Sequence, residues 1–334
     1  MRAIFLAAQK EEICFRVYSP ETVASLGRKT ELDGHCYDKK EILENPAAFQ
    51  SVEAIFSTWG MPSFTEAEIR ACFPSLKIIF YGAGTVQSFA RPFLDCGVRV
   101  VSAWGANGVP VAEYTVAQII LANKGFFTSA RLCKMGRRQE AGQICGCYPG
   151  NFETAVGVIG AGMIGKMVIR RLKDYRLSEK VFDPFLPQEQ AEALGVQKCS
   201  LEELFSTCQV VTNHLANNAQ TRGMLTGSLF ASMVPYATFL NTGRGAQVVE
   251  PELVQVLRER PDLTAVLDVT DPEPPEEGHP FYSLPNCVLT SHIAGSQGRE
   301  VHRMGEYMEE ELDRLLAGEP LRYEVTAAML ATMA

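Results

Sequence analysis

Long hydrophobic runs are missing from this sequence of 334 residues, and their absence excludes one class of protein. No run approaches the ~18–20 apolar residues that a helix needs to span a bilayer. The apolar stretch at residues 3–8 is too short for the core of a signal peptide and predicts a first strand instead. We therefore expect a cytoplasmic protein without a membrane partner.

Positive charge is also scarce in this chain. It has 31 Lys and Arg against 39 Asp and Glu, which gives a formal net charge of −8 and a pI near 5.3. Such a balance argues against a surface for nucleic acid. Hydrophobic residues make up 46% of the chain and charged residues 21%, which excludes disordered and low-complexity proteins and leaves globular enzymes and binding proteins.

Cysteines at metal-binding spacing are missing as well. Of the ten cysteines, only Cys145 and Cys147 are close together, and no second Cys or His pair accompanies them. Zinc fingers and ribbons use two such pairs, usually at C-x-x-C spacing. We expect no metal site, and free thiols in a reducing compartment.

The second half of the chain alternates short apolar runs with amphipathic segments. The runs predict six strands, at residues 155–159, 180–182, 209–212, 238–241, 264–269 and 287–290. In several of them Val, Ile, Leu and Phe predominate without polar alternation, which is typical of parallel strands covered on both faces. Helical patterns lie between them at residues 163–173, 187–194, 201–206 and 251–258. This alternation predicts a doubly wound α/β sheet.

The first hundred residues repeat this alternation less regularly. Strands are predicted at residues 3–7, 54–58, 77–81 and 99–102, and helices at 65–73 and 86–96. Two longer helical patterns, at 109–124 and 299–317, bracket the second half, and we expect the chain to cross between two domains near them.

A glycine-rich loop, Gly160-Ala161-Gly162-Met163-Ile164-Gly165, follows the strand predicted at 155–159. In a dinucleotide-binding loop the first glycine allows a tight turn, the second lets a pyrophosphate approach the backbone, and the third lets the helix pack on the strand. The helix N-terminus also offers its amides to an anion. An acidic residue, Asp183, ends the next strand, as this motif requires. The loop therefore predicts a dinucleotide site.

Asp183 favours NAD over NADP as the cofactor. A carboxylate at this position accepts hydrogen bonds from the adenosine ribose and repels a 2′-phosphate. Pro184 and the two residues after it provide no Arg or Lys to neutralise that phosphate.

Three further motifs stand at the ends of predicted strands, where doubly wound sheets place their chemistry. They are Asn241-Thr242-Gly243-Arg244-Gly245, Leu267-Asp268-Val269-Thr270-Asp271-Pro272-Glu273-Pro274 and Ser291-His292-Ile293-Ala294-Gly295. Together with the glycine loop, with His214-Leu215-Ala216 and with Val111-Ala112-Glu113, they make the chain resemble the D-isomer-specific 2-hydroxyacid dehydrogenase family. The resemblance covers most of residues 82–296, whereas residues 1–75 match only in general pattern.

The resemblance implies three catalytic residues, and their chemistry agrees with it. Arg244 is a planar, permanently charged fork that suits the carboxylate and carbonyl of a 2-oxo acid. His292 can exchange a proton with the carbonyl oxygen near neutral pH. Glu273 resembles the acid that pairs with this histidine and favours its protonated form.

The resemblance also implies binding residues. Beyond the glycine loop, Asp183 and Pro184, the expected cofactor contacts are His214, Leu215, Thr242, Gly243, Gly295 and Asp268, the last of which resembles the family's carboxamide-facing aspartate. The expected substrate contacts, besides Arg244 and His292, are Trp59, Ala83, Gly84 and Asn107. The chain departs from the family pattern at residues 86–89, where the family commonly has an Asp after the loop and Asn-Ile-Asp further on. It also departs at Ser291, where Pro is usual, and at Gly243, where Ala is frequent.

These expectations combine into one architecture. A flavodoxin-like substrate domain, residues 1–106 and 296–334, is interrupted by a Rossmann-type NAD-binding domain, residues 107–295. In such an enzyme hydride passes between NAD and the carbon of a small 2-oxo acid, while His292 donates a proton to the oxygen and Arg244 holds the acid. By analogy with the family, we expect a homodimer that pairs through the nucleotide domain.

Two alternatives stay open. A non-catalytic NAD-sensing protein of the same fold would need an exposed peptide groove or a long tail, and residues 321–334 are short for a tail. A phosphite dehydrogenase would share the set of Arg244, Glu273 and His292. Formate dehydrogenase usually carries Gln where this chain has Glu273, which counts against that activity.

The segment at residues 58–64 bears on the substrate. It provides Trp59, Met61 and Phe64, and no Arg or Lys lies between Val52 and Ile69. A phosphorylated substrate would need a cation, because burying its dianion unpaired is costly. We therefore predict an unphosphorylated substrate such as glyoxylate, hydroxypyruvate or a short alkyl 2-oxo acid. One alternative is that these side chains only close a small core. Another is that Arg91, Arg99 or a partner subunit supplies the cation for a phosphate.

Overall fold

The computed structural model describes residues 1–8 and 10–331. Within this part of the chain the strands, in order, are β1 (Arg2–Leu6), β2 (Glu31–Tyr37), β3 (Ala54–Ser57), β4 (Ile78–Tyr81), β5 (Arg99–Ser102), β6 (Phe152–Ile159), β7 (Arg176–Phe182), β8 (Gln197–Lys198), β9 (Val210–Asn213), β10 (Thr238–Asn241), β11 (Thr264–Leu267), β12 (Cys287–Leu289) and β13 (Glu324–Val325).

The α-helices in the same described ranges lie mostly between these strands. In order they are α1 (Lys10–Val17), α2 (Pro20–Lys29), α3 (Lys39–Glu44), α4 (Glu66–Cys72), α5 (Ala90–Asp95), α6 (Trp104–Asn123), α7 (Phe126–Lys134), α8 (Arg138–Cys145), α9 (Met163–Leu172), α10 (Gln188–Ala193), α11 (Leu201–Thr207), α12 (Gly227–Ala231), α13 (Glu250–Glu259) and α14 (His302–Leu316).

The strands form two sheets. The first has the order β13-β5-β4-β3-β1-β2 and the second the order β12-β11-β10-β9-β6-β7-β8. All strand pairs are parallel except that of β13 with β5. The β2-β1-β3-β4-β5 order is that of flavodoxin-like sheets, and the order of the second sheet extends the dinucleotide-binding arrangement by one strand. The predicted α/β class with two doubly wound sheets is therefore confirmed.

The chain divides into two compact units. The first comprises Met1–Gly108 and Ser296–Ala334, and the second Val109–Gly295. The first crossing lies two residues beyond the 106/107 boundary expected from the sequence, and the second lies at 295/296. Residues 332–334, which the expected substrate domain includes, lie outside the described residues.

The second sheet is covered on both faces. One apolar cluster includes Val211, Phe239 and Ala265, and another includes Val156, Val158 and Val210. Neighbouring residues of a strand point to opposite faces, so Val210 and Val211 belong to different clusters. Burial of both faces explains why these strands read as continuous apolar runs.

Two helix boundaries predicted from the sequence are wrong. The helix expected at 86–96 begins only at Ala90, and the helix expected at 109–124 begins five residues earlier, at Trp104. Glycines and Pro110 near that start are typical of a loop. In the structure Gly105 instead leaves space for Tyr323, because a Cβ there would lie 2.6 Å from the Tyr323 ring.

Several elements have no counterpart among the predictions. They include α1, α2, α7, α8 and β2. Strand β2 lies at a sheet edge, and Cys36 is its one fully buried residue, so it carries no apolar run. The sequence does contain an N-terminal helix signal for α2. Ser19 caps the helix by accepting a hydrogen bond from the Thr22 amide, and Pro20 follows at the first helical position.

Within residues 1–8 and 10–331 the helices are too short or too polar to cross a bilayer. In the same ranges, no group of three or more His, Cys, Asp and Glu side chains could hold a metal ion. The ten cysteines are free thiols.

Candidate active site

The glycine loop connects β6 to α9 in the second unit. Gly160 has a φ of +87°, and a Cβ there would lie 2.9 Å from the His214 carbonyl carbon. A Cβ on Gly165 would lie 2.0 Å from the Gly160 carbonyl oxygen, whereas a Cβ on Gly162 would meet nothing within 4 Å. Two glycines therefore allow close backbone packing, and the middle one leaves open space at the N-terminus of α9, where Met163 and Ile164 begin the helix. This space fits a pyrophosphate.

Asp183 lies directly after β7 and holds the glycine loop. Its Oδ2 accepts a hydrogen bond from the Ala161 amide at 2.7 Å, and its Oδ1 accepts one from the Phe185 amide at 2.8 Å. A carboxylate oxygen can accept more than one hydrogen bond, so both oxygens can still accept ribose hydroxyls. Pro184, between Asp183 and Phe185, contributes no charge to this edge.

His214 follows β9 beside the glycine loop. Its amide donates to the Ile159 carbonyl oxygen at 2.8 Å, and its Nε2 contacts Thr212 Oγ1 at 3.0 Å. Its Nδ1 is buried and has no hydrogen-bond partner among the described residues. Burial lowers the pKa of His214 to about 3, so its ring is neutral at physiological pH. Leu215, the next residue, packs against the apolar cluster beneath.

His292 and Glu273 form a close pair. His292 Nδ1 lies 2.6 Å from Glu273 Oε1, and the two side chains are 47% and 39% exposed. Nε2 of His292 has no hydrogen-bond partner in the described part of the chain. A carboxylate that accepts the Nδ1 proton fixes the tautomer of the ring and leaves Nε2 for a substrate.

The loop that carries Glu273 is anchored at its base. Glu250, the first residue of α13, accepts the Asp271 amide through Oε1 at 2.8 Å, and Thr270 Oγ1 donates to the Pro272 carbonyl oxygen at 2.8 Å. Burial raises the pKa of Glu250 to about 7, and the charge of Asp271 acts in the same direction. The peptide bonds before Pro272 and Pro274 are cis.

His292 has a φ of +57° and is held on both sides by Asp268. Asp268 is 2% exposed, and its Oδ1 accepts hydrogen bonds from Thr290 Oγ1 at 2.5 Å and the Ile293 amide at 2.8 Å. Its Oδ2 accepts one from the Ala294 amide at 2.9 Å. Left-handed backbone is unfavourable for residues other than glycine, so surrounding contacts must hold it. The resemblance assigned Asp268 to the cofactor, and the structure shows that Asp268 also accepts hydrogen bonds from the residues around His292.

Arg244 follows β10 at the same edge of the sheet. Its Nη1 donates to the Gly243 carbonyl oxygen at 2.8 Å. A Cβ on Gly245 would lie 2.0 Å from the Thr270 carbonyl carbon, so the backbones after β10 and β11 touch here. Thr242, the remaining cofactor candidate of this motif, bonds Thr115 of α6 through the two hydroxyls at 3.2 Å.

A cavity of about 830 Å³ adjoins the Glu273 side of the pair. It lies within the second unit, which ends at Gly295. Its walls include Asp268, Glu273, Ser291, Ile293, Tyr282 and Leu289. The structure therefore brings Asp268, Glu273 and the two neighbours of His292 together around one space.

The first unit carries the other substrate candidates. Ala83 is buried, and a Cβ on Gly84 would meet nothing within 4 Å. Ser102 Oγ donates to the carbonyl oxygens of both residues, which fixes this loop on β5. Asn107 Oδ1 accepts the Ser296 amide at 3.0 Å.

The segment at residues 58–64 is divided between surface and core. Trp59 is 36% exposed, whereas Met61 and Phe64 are buried in the core of the first unit. Lys39 reaches this segment from outside it, donating to the Ser63 carbonyl oxygen at 2.8 Å and to Glu68 at 2.9 Å. The sequence window missed this cation, but Glu68 neutralises it.

The sequence assigned no role to three polar residues around Arg244, although Asn241 opens one of its motifs. Asn213, Asn241 and Gln247 are at most 1% exposed, and the Asn213 side chain donates hydrogen bonds to the other two. The available signal was that two strands, β9 and β10, both end in a buried Asn.

Comparison with known proteins gives consistent relationships. Residues 116–294 match the family model described as D-isomer specific 2-hydroxyacid dehydrogenase, NAD binding domain. A D-3-phosphoglycerate dehydrogenase of Archaeoglobus fulgidus is 30% identical over 261 residues, which cover 78% of this chain and 49% of that protein. This chain thus spans about half the length of the first curated relatives it matches.

Solved structures share the fold at lower identity. A phosphoglycerate oxidoreductase from Rhizobium etli has a TM-score of 0.80 at 22% identity and covers 97% of this chain and 98% of its own. The apo form of D-mandelate dehydrogenase from Rhodotorula graminis has a TM-score of 0.78 at 21% identity, with 97% of each chain covered.

Proposed function

Because the chain belongs to the family of D-isomer specific 2-hydroxyacid dehydrogenases, we propose that it interconverts a small 2-oxo acid and its D-2-hydroxy acid. The observation that carries the proposal is the contact of His292 Nδ1 with Glu273 Oε1 at 2.6 Å. The cofactor is NAD, since residues 116–294 match the family's NAD-binding domain, and bound NADH supplies the hydride.

In this proposal each group of the site has one task. Arg244 binds the carboxylate and carbonyl of the 2-oxo acid through its planar fork. His292 donates the proton on Nε2 to the carbonyl oxygen, and Glu273 stabilises the positive ring before that transfer. In the reverse direction His292 accepts the hydroxyl proton. Trp59, Ala83, Gly84 and Asn107 are the proposed substrate contacts of the first unit.

The cofactor residues have separate tasks. The open space over Gly162 supports a pyrophosphate at the N-terminus of α9, and Asp183 provides acceptors for the ribose. The neighbouring contacts proposed for the cofactor are Pro184, His214, Leu215, Thr242, Gly243, Asp268 and Gly295.

The activity is tested by following NADH oxidation with a panel of 2-oxo acids. Turnover of at least one unphosphorylated acid is the expected result. NADH binding without turnover of any acid would favour the NAD-sensing alternative. Reduction of NAD by phosphite, in the absence of any 2-oxo acid turnover, would favour a phosphite dehydrogenase.

We expect an unphosphorylated substrate to outperform a phosphorylated one. No Arg or Lys lies between Val52 and Ile69, and Lys39, which donates to the Ser63 carbonyl oxygen of this segment, is already paired with Glu68. The measurement is the ratio of kcat/KM for hydroxypyruvate and for its 3-phosphate at fixed ionic strength. A preference for the phosphate would contradict this prediction and agree with the names of the phosphoglycerate relatives, while leaving the dehydrogenase activity intact.

We expect NADH to be preferred over NADPH by about 10–100-fold in kcat/KM, because a 2′-phosphate loses the ribose hydrogen bonds to Asp183 and meets its charge. Asp183→Ser combined with Pro184→Arg should erode or reverse that preference. Asp183 also holds the Ala161 amide, so the single variant Pro184→Arg is the matched control. A wild-type preference for NADPH would contradict the assignment of Asp183.

We also propose a homodimer that pairs through the second unit and works in the cytoplasm. The second unit exposes Phe126, Met135 and Phe152, with exposed fractions of 47%, 58% and 60%. Free thiols accord with a reducing compartment. Sedimentation equilibrium at micromolar protein would give the mass of one chain if the pairing is absent.

A further inference from the structure

A closed set of amide side chains lies beneath the loop that bears Arg244. Asn213 Nδ2 donates to Asn241 Oδ1 at 3.0 Å and also to Gln247 Oε1. The three side chains are 0%, 1% and 0% exposed, and each comes from a different place: the end of β9, the end of β10, and the turn that follows Arg244. Buried polar groups without partners are costly, and these three amides find their partners in one another and in backbone groups, which specifies one arrangement.

One side of this amide cluster (Asn213, Asn241 and Gln247) holds the backbone of Arg244. Gln247 Oε1 accepts the Arg244 amide at 3.3 Å, and Asn241 Nδ2 donates to the Arg244 carbonyl oxygen at 3.1 Å. Asn241 Oδ1 also accepts the Gly243 amide at 3.1 Å. Both backbone polar groups of Arg244 are therefore fixed by side chains of the amide cluster.

The other side of the amide cluster holds the loop after β9. Gln247 Nε2 donates to the carbonyl oxygens of Leu215 and Ala216, at 2.9 and 3.0 Å. Asn213 Oδ1 accepts the Leu215 amide at 3.2 Å. Gln247 thus uses its oxygen toward Arg244 and its nitrogen toward the loop at 214–216.

We propose that Asn213, Asn241 and Gln247 are positioning residues that link the backbone of Arg244 to the loop at residues 214–216. The guanidinium and this loop, which carries the proposed cofactor contacts His214 and Leu215, then move as one. The proposal rests on the proposed role of Arg244 as the group that binds the substrate carboxylate. A rigid link of this kind aligns substrate with cofactor, and small misplacements of reacting groups cost large factors in rate.

The test compares Gln247→Met, Asn213→Leu and their double variant with wild type. Each substitution keeps an approximate volume and removes the hydrogen bonds. The first measurement is hydrogen–deuterium exchange of peptides covering residues 214–217 and 242–248, which needs neither substrate nor cofactor. Either single variant should accelerate exchange in both segments at once.

The second measurement is the KM for the 2-oxo acid at saturating NADH. Gln247→Met should raise it roughly 10–100-fold, the scale expected when a binding group is misplaced. The double variant should be little worse than either single variant, because the two residues act in one network and their effects are not additive.

Asn286→Leu is the matched control. Asn286 is a buried amide of the same unit, and its Nδ2 donates to the carbonyl oxygens of Leu257, Arg260 and Leu263 at 3.0, 3.3 and 3.1 Å. This variant should lower Tm without accelerating exchange at 214–217 or 242–248 and without raising KM.

The outcomes separate this proposal from the proposed function. Acceleration of only one segment, or additive effects in the double variant, would overturn the positioning role. An unchanged KM in Gln247→Met together with a raised KM in Arg244→Lys would overturn it as well. An unchanged KM in Arg244→Lys would instead reject the role of Arg244, and the exchange data would then decide on the coupling alone.

Discussion

Replacing His292 with Asn should lower turnover of the 2-oxo acid by about 10²–10⁴-fold, the usual contribution of a positioned general acid, while NADH affinity stays near that of wild type. Asn is the suitable replacement because it tolerates left-handed backbone better than most residues, and His292 has a φ of +57°. The loop held by Asp268 should therefore keep its shape. Single-turnover rates and NADH fluorescence titrations measure the two quantities separately.

Glu273→Gln provides the control for this interpretation. It removes the negative charge 2.6 Å from Nδ1, so the protonated ring is less favoured. Reduction should then be slower than in wild type, while NADH affinity should stay unchanged. Near-normal turnover in His292→Asn would contradict the assignment of the general acid.

The second large effect should come from the middle glycine of the loop after β6. Gly162→Ala should leave Tm nearly unchanged, because a Cβ there meets no protein atom within 4 Å and the φ of −67° suits alanine. The same Cβ would occupy the space that the pyrophosphate needs. We expect NADH affinity to fall by about 100-fold, equivalent to roughly 3 kcal/mol.

Gly165→Ala separates this effect from loss of structure. Its Cβ would lie 2.0 Å from the Gly160 carbonyl oxygen, so α9 must shift away from β6. This variant should lose both NADH affinity and several degrees of Tm. If Gly162→Ala binds NADH as wild type does, the pyrophosphate does not lie over Gly162.

The sequence by itself determined the α/β class of both sheets and the alternation of strands and helices along the second unit. Its strands are covered on both faces, so β6, β9, β10 and β11 contain short apolar runs without polar alternation, although β6 begins three residues before the predicted start. The glycine loop is equally local, since its function depends on backbone conformation within six residues. Such features depend on residues that are close together in the sequence, so they can be recognised without knowing the distant contacts.

The motifs after β10, β11 and β12 also followed from the sequence. The carboxyl ends of adjacent parallel strands meet at one edge of a sheet, so Arg244, Glu273 and His292 could be assigned to a common edge before any distance was known. The polar edge strand β2 could not be predicted, because a strand with one fully buried residue has no alternation or apolar run to recognise.

Only the tertiary structure decided which polar side chains support the site. The resemblance assigned Asp268 to the cofactor, yet its hydrogen-bond partners are the hydroxyl of Thr290 and amides 25 and 26 residues away. The amide cluster joins positions up to 34 residues apart, and Lys39 meets Ser63 from 24 residues away. The type and spacing of residues determine local conformation. The hydrogen-bond partner of a side chain depends on which distant segment of the chain packs against it, and only the folded structure shows that.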